Sequence, residues 1–372
     1  MRLFIVTSVY QFMNALTVQM NDPSVSSDIL CATKLLDDTF DLEKLKDENI
    51  FDGVFCWTGE IDGFKTVSRT RAEKIKNIFK KVGLAANKRR LLSDFPRIDK
   101  QYDEICIGYP DFPTRLACQT LKNKATVRTI LEEGMYTYDF LAKKESLLKR
   151  TAFKLFIGEE VVSRCEKVYV YRPDMLKLGV KEMKVVPIYP RLDTLGPIIK
   201  RIYKHELPCI DEIDKPVIMF DQDMQDNEIT QRQCNIAELL ARTFGKESFV
   251  VKMHPRTVNV PYSENVPVYR ARCPFEILMS TIDLESKILV SLISTASMNP
   301  KMMLDAEPTV IFTTKIVIDK KTEQEWNESL AIVNRLKANY RNPEKIFIAE
   351  SMEELEAIVS DLKQKQAEQN KA

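Results

Sequence analysis

Short apolar runs rich in Val, Ile and Phe alternate along the chain with longer segments of helical period. The candidate strands centre near residues 4, 30, 55, 106, 128, 169, 186, 218, 250, 290 and 311. Runs of this length with apolar residues on both faces are typical of parallel strands that helices cover on both sides. The alternation therefore predicts an α/β protein with parallel sheets and right-handed crossovers.

Helical periodicity is clearest in the segments 66–83, 229–245 and 322–340. Gly83 and Gly245 close the first two segments, as expected where a helix stops. Near the carboxyl terminus, Ser351 with Glu354 three residues later predicts a capped helix start. We expect that helix to fray into a polar tail.

The polar segment 201–216 interrupts the alternation and contains Pro208 and Pro216. We interpret it as a linker between two Rossmann-like domains, residues 1–205 and residues 206–372. A chain of 372 residues is long enough for two domains of ordinary size. The expected architecture is two Rossmann-like parallel-sheet domains, one on each side of this segment.

Composition narrows the class of protein. The chain is 44% hydrophobic and 29% charged, and its net charge of +1 gives no reason to expect nucleic acid as a partner. The amino-terminal residues lack the pattern of a secretory signal, and no apolar run approaches the length of a membrane span. We therefore expect a cytoplasmic protein whose eight scattered cysteines are reduced and packed as small hydrophobic residues.

Ligands of open parallel sheets bind at the carboxyl ends of the strands, and polar residues follow several of the predicted strands. Glu132, Glu133 and Gly134 follow the strand near residue 128. Adjacent carboxylates there suit general-base chemistry if crowding or burial raises one pKa. The alternative is a solvated acidic turn or the start of a helix.

His254 and Pro255 follow the strand near residue 250. The proline restricts His254 to extended geometry, which directs the imidazole away from the strand end. Such a histidine can donate a hydrogen bond or a proton to a leaving phosphate near neutral pH. Its alternative is a core histidine with satisfied hydrogen bonds.

Hydroxyl groups follow the next strand, at Ser294 and Thr295, immediately before an apolar helical stretch. Hydroxyls and free N–H groups at a helix start bind phosphate well, although a plain N-cap is the simpler explanation. Glu276, in the first turn of a preceding helix, is placed to accept hydrogen bonds from ribose hydroxyls or only to interact favourably with the helix dipole.

The ordered set of acidic pair with Gly, His-Pro, Pro-x-Glu and Ser-Thr resembles the bacterial sialyltransferases. These include the lipooligosaccharide enzymes of glycosyltransferase family 52 and the capsular polysialyltransferases. The amino-terminal FIVTSVYQFMNAL, with Gln11, is similar to the opening strand and loop of family 52. The resemblance covers most of the chain as order and spacing, but only short motifs as residues.

The resemblance implies the GT-B fold, in which two Rossmann-like domains face a cleft. It also implies a metal-independent, inverting transfer of sialic acid from CMP-sialic acid, with no cofactor. Glu133 would be the base that takes the acceptor proton, with Glu132 its less favoured neighbour. His254 would hydrogen-bond or protonate the departing phosphate, next to Pro255. Residues 1–205 would be the acceptor-side domain and residues 206–372 the nucleotide-sugar domain.

The same resemblance implies that Ser294 and Thr295 hold the phosphate and that Glu276 binds the ribose. This chain departs from the family pattern at two places: Glu-Glu replaces the Asp-containing pairs of relatives, and the hydroxyl pair is Ser-Thr. Both departures bear on which sugar donor the protein uses. Family 52 also includes glucosyltransferases, so another nucleotide sugar is an open alternative. A glycerol phosphate transferase and a non-catalytic GT-B partner protein or chaperone are further alternatives.

Two more features are interpreted from their positions. Gln222 lies in an Asp221-x-Asp223 motif, which we interpret as a polar loop that lines the nucleotide site, with a metal site as the alternative. Tyr109, Asp111 and Arg115 follow the strand near residue 106 and are acceptor-side candidates, together with Gln11 from the resemblance.

The basic amphipathic stretch 142–158 is interpreted as a solvated helix with one core face. Contact with anionic lipid on the inner face of the cell membrane is its alternative, and it would suit a lipid-linked oligosaccharide acceptor of the lipooligosaccharide, capsule or exopolysaccharide type. Nucleotide sugar and acceptor are the expected partners, and a homodimer is left open.

Overall fold

The computed structural model divides the chain into two compact units, Met1–Glu206 and Leu207–Ala372. The structure describes residues 1–58, 91–121, 125–134, 137–138, 165–176, 183–205, 210–222, 226–254, 257, 259–271, 273–279, 281–317 and 323–369. The segment that ends at Gly83 and the basic stretch 142–158 lie outside the described residues, so the predictions made for them remain predictions.

The described residues of the first unit form a sheet of seven parallel strands in the order β3-β2-β1-β4-β5-β6-β7. The strands are β1 Arg2–Val6, β2 Ser27–Cys31, β3 Gly53–Cys56, β4 Tyr102–Ile107, β5 Ala125–Leu131, β6 Cys165–Val170 and β7 Lys184–Pro187. The helices are α1 Val9–Asn21, α2 Lys34–Thr39, α3 Leu42–Asp47, α4 Phe112–Thr120 and α5 Leu192–Ile202, with a 3-10 turn at Pro173–Met175.

The described residues of the second unit form a sheet of six parallel strands in the order β10-β9-β8-β11-β12-β13. The strands are β8 Val217–Phe220, β9 Phe249–Lys252, β10 Val268–Tyr269, β11 Ile288–Ser291, β12 Thr309–Phe312 and β13 Ile346–Ile348. The helices are α6 Ile210–Ile213, α7 Asn227–Phe244, α8 Phe275–Leu278, α9 Thr295–Leu304, α10 Thr314–Val317, α11 Glu323–Ala338 and α12 Met352–Gln369, with 3-10 turns at Leu284–Ser286 and Pro343–Lys345.

Both sheets follow the Rossmann pattern, in which the strand order reverses between the first strand and the fourth. The reversal lies between β1 and β4 in the first unit and between β8 and β11 in the second. At such a point the loops leaving the two strands turn to opposite faces and leave room for a ligand at the carboxyl edge. Every strand predicted from an apolar run is present, and the parallel α/β architecture is confirmed.

The core of the second unit explains why its apolar runs are continuous. Val251 of β9 and Met253, one residue past the strand, pack beneath α7 and α12 on one face of the sheet. On the other face, Phe220 packs edge-on against Phe275 of α8, with ring centroids 4.7 Å apart. Because both faces are covered by helices, apolar residues are needed at successive positions.

The division between the two units falls within the predicted linker segment 201–216. Parts of that segment are structured, because α5 extends to Ile202, Tyr203 is buried and pairs with Phe40, and Ile210–Ile213 is helical. The expectation that the carboxyl-terminal helix frays is wrong, because α12 continues to Gln369.

The predicted helix signals are confirmed where the structure describes them. Gly245 follows α7 with a positive φ of 83°, a conformation that suits glycine. Ser351 precedes α12, and its hydroxyl accepts a hydrogen bond from the N–H of Glu354 at 3.2 Å. No helix in the described part of the chain is long and apolar enough to cross a membrane.

Candidate functional site

The loops after β9, β8 and β11 lie at the carboxyl edge of the second sheet, on three adjacent strands. Asp221 follows β8, His254 follows β9, and Ser294 follows β11. Sequence order separates them widely, and the parallel pairing of the strands brings them to one edge. This edge includes the point at which the strand order reverses, so it is the favoured ligand position of this unit.

Asp221 fixes the loop that carries His254. One carboxylate oxygen, Oδ2, accepts the backbone N–H of His254 at 3.1 Å and the hydroxyl of Thr257 at 2.7 Å. The other, Oδ1, accepts the Tyr262 hydroxyl at 2.7 Å. The carboxylate is buried and already receives three donors. This arrangement favours a role in holding the loop over the metal role considered for Asp221.

Gln222 also acts on a loop. Its side-chain N–H donates to the carbonyl of Ile293 at 3.0 Å, and its oxygen accepts the N–H of Ile293 at 2.8 Å. The two groups pair as two peptide units would, and they fix the backbone immediately before Ser294. Gln222 thus positions the phosphate-binding candidate, while direct contact with nucleotide remains a prediction.

Ser294 is the N-cap of α9. Its hydroxyl accepts the N–H of Ala296 at 3.3 Å, and its own N–H donates to the hydroxyl of Ser291 at 3.3 Å. Thr295 is the first helical residue, and both residues are partly exposed. A helix of ten residues presents N–H groups and the positive end of its dipole at this point. The arrangement suits a phosphate, as well as satisfying the ordinary N-cap interpretation.

Glu276 lies in the first turn of α8 and is almost completely buried. Its Oε1 accepts a hydrogen bond from the side-chain N–H of Asn299, at 2.6 Å. Burial raises the pKa of Glu276, although Lys252 and Asn299 act in the opposite direction. The hydrogen bond from Asn299 fixes the orientation of the buried carboxylate, as recognition of a ribose hydroxyl would require.

In the first unit, the exits of β1 and β4 are joined by hydrogen bonds. Asp111 caps α4 by accepting the Thr114 N–H at 2.9 Å, and its other oxygen accepts the Thr7 hydroxyl at 2.8 Å. The Thr7 N–H donates to the Gln11 side-chain oxygen at 2.8 Å. Gln11 is fully buried against Gly108. This placement makes Gln11 a support of the loop rather than an exposed contact.

The remaining acceptor-side candidates differ in exposure. Tyr109 and Asp111 are partly exposed, whereas Arg115 is buried and its Nε donates to the carbonyl of Pro110 at 2.7 Å. Contact of these side chains with an acceptor stays a prediction.

Glu133 and Glu132 follow β5 on opposite sides of the backbone. Glu133 is partly exposed, and one of its carboxylate oxygens accepts the Tyr109 N–H at 2.6 Å. Gly134, with φ of 59°, has the left-handed backbone conformation that suits glycine in a turn. Partial exposure at the strand exit leaves Glu133 able to meet a substrate hydroxyl, as its predicted role requires.

Glu132 has the more perturbed acidity. It is completely buried, and its carboxyl accepts the hydroxyls of Tyr138 at 2.6 Å and Tyr10 at 3.2 Å and the N–H of Tyr171 at 2.7 Å. Burial raises its pKa to about 7, although the three hydrogen bonds favour the ionised form. The pKa rise predicted for one of the two carboxylates therefore falls on the residue that substrate reaches less easily.

Some candidates cannot be placed, and others were missed. Pro255 and Asp223 lie outside the described residues. Lys252, Asn299 and Tyr10 were not identified from the sequence. Residues two positions apart in an extended strand lie on the same side of the sheet. Lys252 could therefore have been identified from the sequence as a neighbour of His254.

Two further features of the described residues concern metal binding and reactive thiols. Within the described ranges, no group of three His, Cys, Asp or Glu side chains is arranged to hold a metal ion. The described cysteines are all free, and of these Cys56 is exposed.

Comparison with known proteins adds information on the fold. No protein-family model matches the sequence, and no curated protein sequence matches it. The structure of Arabidopsis thaliana UGT89C1 complexed with UDP is similar with a TM-score of 0.52 and 11% identity, covering 98% of this chain and 94% of that chain. CalG4, the calicheamicin glycosyltransferase, is similar with a TM-score of 0.48 and 14% identity, covering 98% and 88%.

These findings define the class of fold. The chain has the GT-B type of architecture, with one Rossmann-like parallel sheet in each of two units.

Proposed function

We propose that the protein is a glycosyltransferase that takes a sugar from a nucleotide donor bound by its second unit. The observation that carries the proposal is the carboxyl edge of the second sheet. There α9 begins at Ser294 and Thr295, directly after β11, which is the neighbour of β8 in the sheet. Asp221, at the end of β8, fixes the loop that carries His254. Donors directed at a leaving phosphate stabilise the negative charge that develops on it. The GT-B fold supports this assignment.

In the finer form of the proposal, the donor is CMP-sialic acid and the acceptor is a bacterial surface glycan. The ordered motifs support this form, since Glu133, His254, Glu276 and Ser294 occupy the positions of the sialyltransferase pattern. Glu133 takes the proton of the acceptor hydroxyl, and His254 donates to the departing phosphate. No metal is required, because N–H and hydroxyl donors and the imidazole supply the stabilisation.

A second candidate is transfer from a UDP-sugar. The structure of UGT89C1 contains UDP, and it shares the fold of this chain. In both candidates the same protein groups surround the phosphate. The donors differ in the nucleobase, cytosine or uracil, and in the number of phosphates. A nucleotide screen therefore separates them.

The screen is titration calorimetry with CMP, CDP, UMP and UDP in the presence of EDTA. Tightest binding of CMP is expected for the sialyl form, and a strict preference for uridine nucleotides would replace it with the second candidate. If none of the four nucleotides binds at millimolar concentration, the proposed function is wrong.

The two histidines of the chain allow a matched test of the phosphate assignment. We expect His254→Ala to lower turnover with the best donor by roughly 10²- to 10⁴-fold, as loss of a general acid does. His205→Ala is the control, because His205 is exposed in the first unit and its ring contacts the Asp38 carbonyl. Wild-type turnover in His254→Ala would remove that residue from the mechanism.

A further inference from the structure

Lys252 is the last residue of β9 and is only 5% exposed. Met253, the next residue, packs into the core beneath α7. Because side chains alternate along an extended chain, Lys252 and His254 share the opposite side, toward α8. A lysine buried at the carboxyl edge of the sheet thus lies directly behind the proposed phosphate partner.

The Lys252 ammonium has no direct partner among the described residues. Two other buried lysines of this unit each have a carboxylate at ion-pair distance: Lys287 lies 2.7 Å from Asp214, and Lys301 lies 2.5 Å from Glu307. A buried ammonium without such a partner is unfavourable in the free protein. A ligand group that accepts hydrogen bonds at this strand exit would offset that cost.

The ionisable group that interacts most strongly with Lys252 is the Glu276 carboxyl. Burial lowers the pKa of Lys252, while the Glu276 carboxylate acts in the opposite direction. Burial likewise raises the pKa of Glu276, which Lys252 counteracts. In both residues burial outweighs the mutual attraction, and no ion pair forms between them. Lys252 is the register partner of Phe220, whose ring packs against Phe275, the residue before Glu276. The strand pairing thus brings Lys252 to the side of the sheet that α8 and Glu276 cover.

We propose that Lys252 and Glu276 together bind the ribose diol of the donor nucleotide. The Lys252 ammonium donates hydrogen bonds to the hydroxyl oxygens, and the Glu276 carboxylate accepts the hydroxyl protons. Asn299 positions the carboxylate through its hydrogen bond of 2.6 Å. The inference rests on the proposed function and extends it, because it assigns Lys252 as a binding residue.

Charge balance favours a diol over a phosphate at this position. Lys252 and Glu276 have opposite charges, so a neutral ligand group leaves the buried site neutral. A phosphate would add negative charge beside the buried Glu276 carboxylate, which is unfavourable in a medium of low dielectric. The phosphate belongs instead at the exposed start of α9.

The helix geometry connects the two ends of the ligand. Asn299 lies four residues after Thr295 on α9, so the two residues share one face about 5–6 Å apart. A phosphate at Thr295 and a diol at Glu276, the partner of Asn299, are then separated by about one helical turn. This is the order of separation between the phosphate and the hydroxyls of a single nucleotide.

The test compares Lys252→Met with the wild type and with Lys287→Met. Calorimetry measures the affinity for the tightest of CMP, CDP, UMP and UDP and for its 2′,3′-dideoxy counterpart. The wild type should bind the ribonucleotide roughly 10- to 100-fold more tightly, as expected for hydrogen bonds to charged groups. Lys252→Met should lose most of this ratio without weakening the dideoxynucleotide, and Lys287→Met should keep it.

Thermal unfolding of the free protein separates a binding role from a structural one. Lys252→Met should unfold at the same temperature as the wild type or higher, because it removes a buried ammonium that no described residue pairs with directly. A decrease in melting temperature as large as that of Lys287→Met would contradict the proposal. Lys252→Gln is a second neutral replacement, for which the same loss of ratio is expected.

The outcomes distinguish this proposal from the proposed function. If the wild type binds no nucleotide, both are overturned. If it binds nucleotide and Lys252→Met keeps the ratio of the two affinities, only the diol site is overturned. Equal weakening of ribo- and dideoxynucleotide in Lys252→Met would assign Lys252 to the phosphate and would also overturn the diol site.

Discussion

Glu132 gives the sharpest prediction about stability. Its carboxyl is completely buried beneath α1, between the hydroxyls of Tyr10 and Tyr138 and the N–H of Tyr171. Burial raises its pKa from 4.5 to about 7. The folded protein therefore retains a proton on Glu132 at pH values at which the unfolded chain has released it.

The sign and the magnitude follow from this difference. Between pH 4.5 and about 7 the folded state binds more protons than the unfolded state, so stability decreases as the pH rises. The contribution is fully present below pH 4.5 and is lost as the pH rises through about 7. At about 1.4 kcal/mol for each pH unit, the whole change is roughly 3 kcal/mol.

The perturbation is Glu132→Gln, which keeps one acceptor oxygen and removes the titration. Urea unfolding should be measured for both proteins from pH about 4.5 to about 8, with the free energy of unfolding obtained by linear extrapolation. The variant should gain stability relative to the wild type as the pH rises, by roughly 3 kcal/mol in total. A difference that stays flat over this range would refute the reasoning.

Glu104→Gln is the matched control within the same sheet. Burial pushes the pKa of Glu104 upward, but hydrogen bonds from Lys167 and Thr129 and the charge of Arg2 outweigh it, and the pKa is lowered overall. Its stabilising contribution is present above the unfolded pKa and is lost as the pH falls through the folded value. The difference between Glu104→Gln and the wild type should therefore change only at acidic pH and in the opposite sense.

Two further substitutions test the loops at the strand exits. Asp221→Ala removes the carboxylate that accepts from the buried Tyr262 hydroxyl and from two other donors. It should lower the free energy of unfolding by about 3 kcal/mol or more, measured in urea. An equal loss in Asp283→Ala, which removes an exposed cap of a 3-10 turn, would contradict this. Gly108→Ala would place a Cβ 2.3 Å from the Gln11 amide carbon and should cost about 1–3 kcal/mol. Thermal unfolding should show that Gln11→Ala relieves most of this cost, and strictly additive effects would argue against the clash.

The strand pattern was predictable because a parallel sheet covered on both faces needs continuous apolar runs. Those runs placed each strand from β1 to β9, and β11 and β12, within the chain. The strands β10, with two residues, and β13, with three, were missed because runs so short do not stand out from a loop. The division of the chain was visible as a polar segment, although isolated apolar residues within it such as Tyr203 are buried.

The candidate site was predictable only as a set of strand exits. A strand end followed by Glu133, His254 or Ser294 is visible in the sequence, since chemistry collects at the carboxyl edges of parallel sheets. The sequence could not show that Asp221 and Gln222 have their side chains occupied by neighbouring loops. Those hydrogen bonds join residues far apart in the chain, such as Gln222 and Ile293.

The sequence by itself determined the α/β class, most of the strands and the order of the candidate residues, because these depend on local periodicity and on single strand ends. Only the tertiary structure decided that Glu132 is the carboxyl with a pKa of about 7 and that Lys252 is buried beside Glu276 without an ion pair. Acidity and charge pairing depend on burial and on partners brought in by other strands. Local sequence does not contain that information.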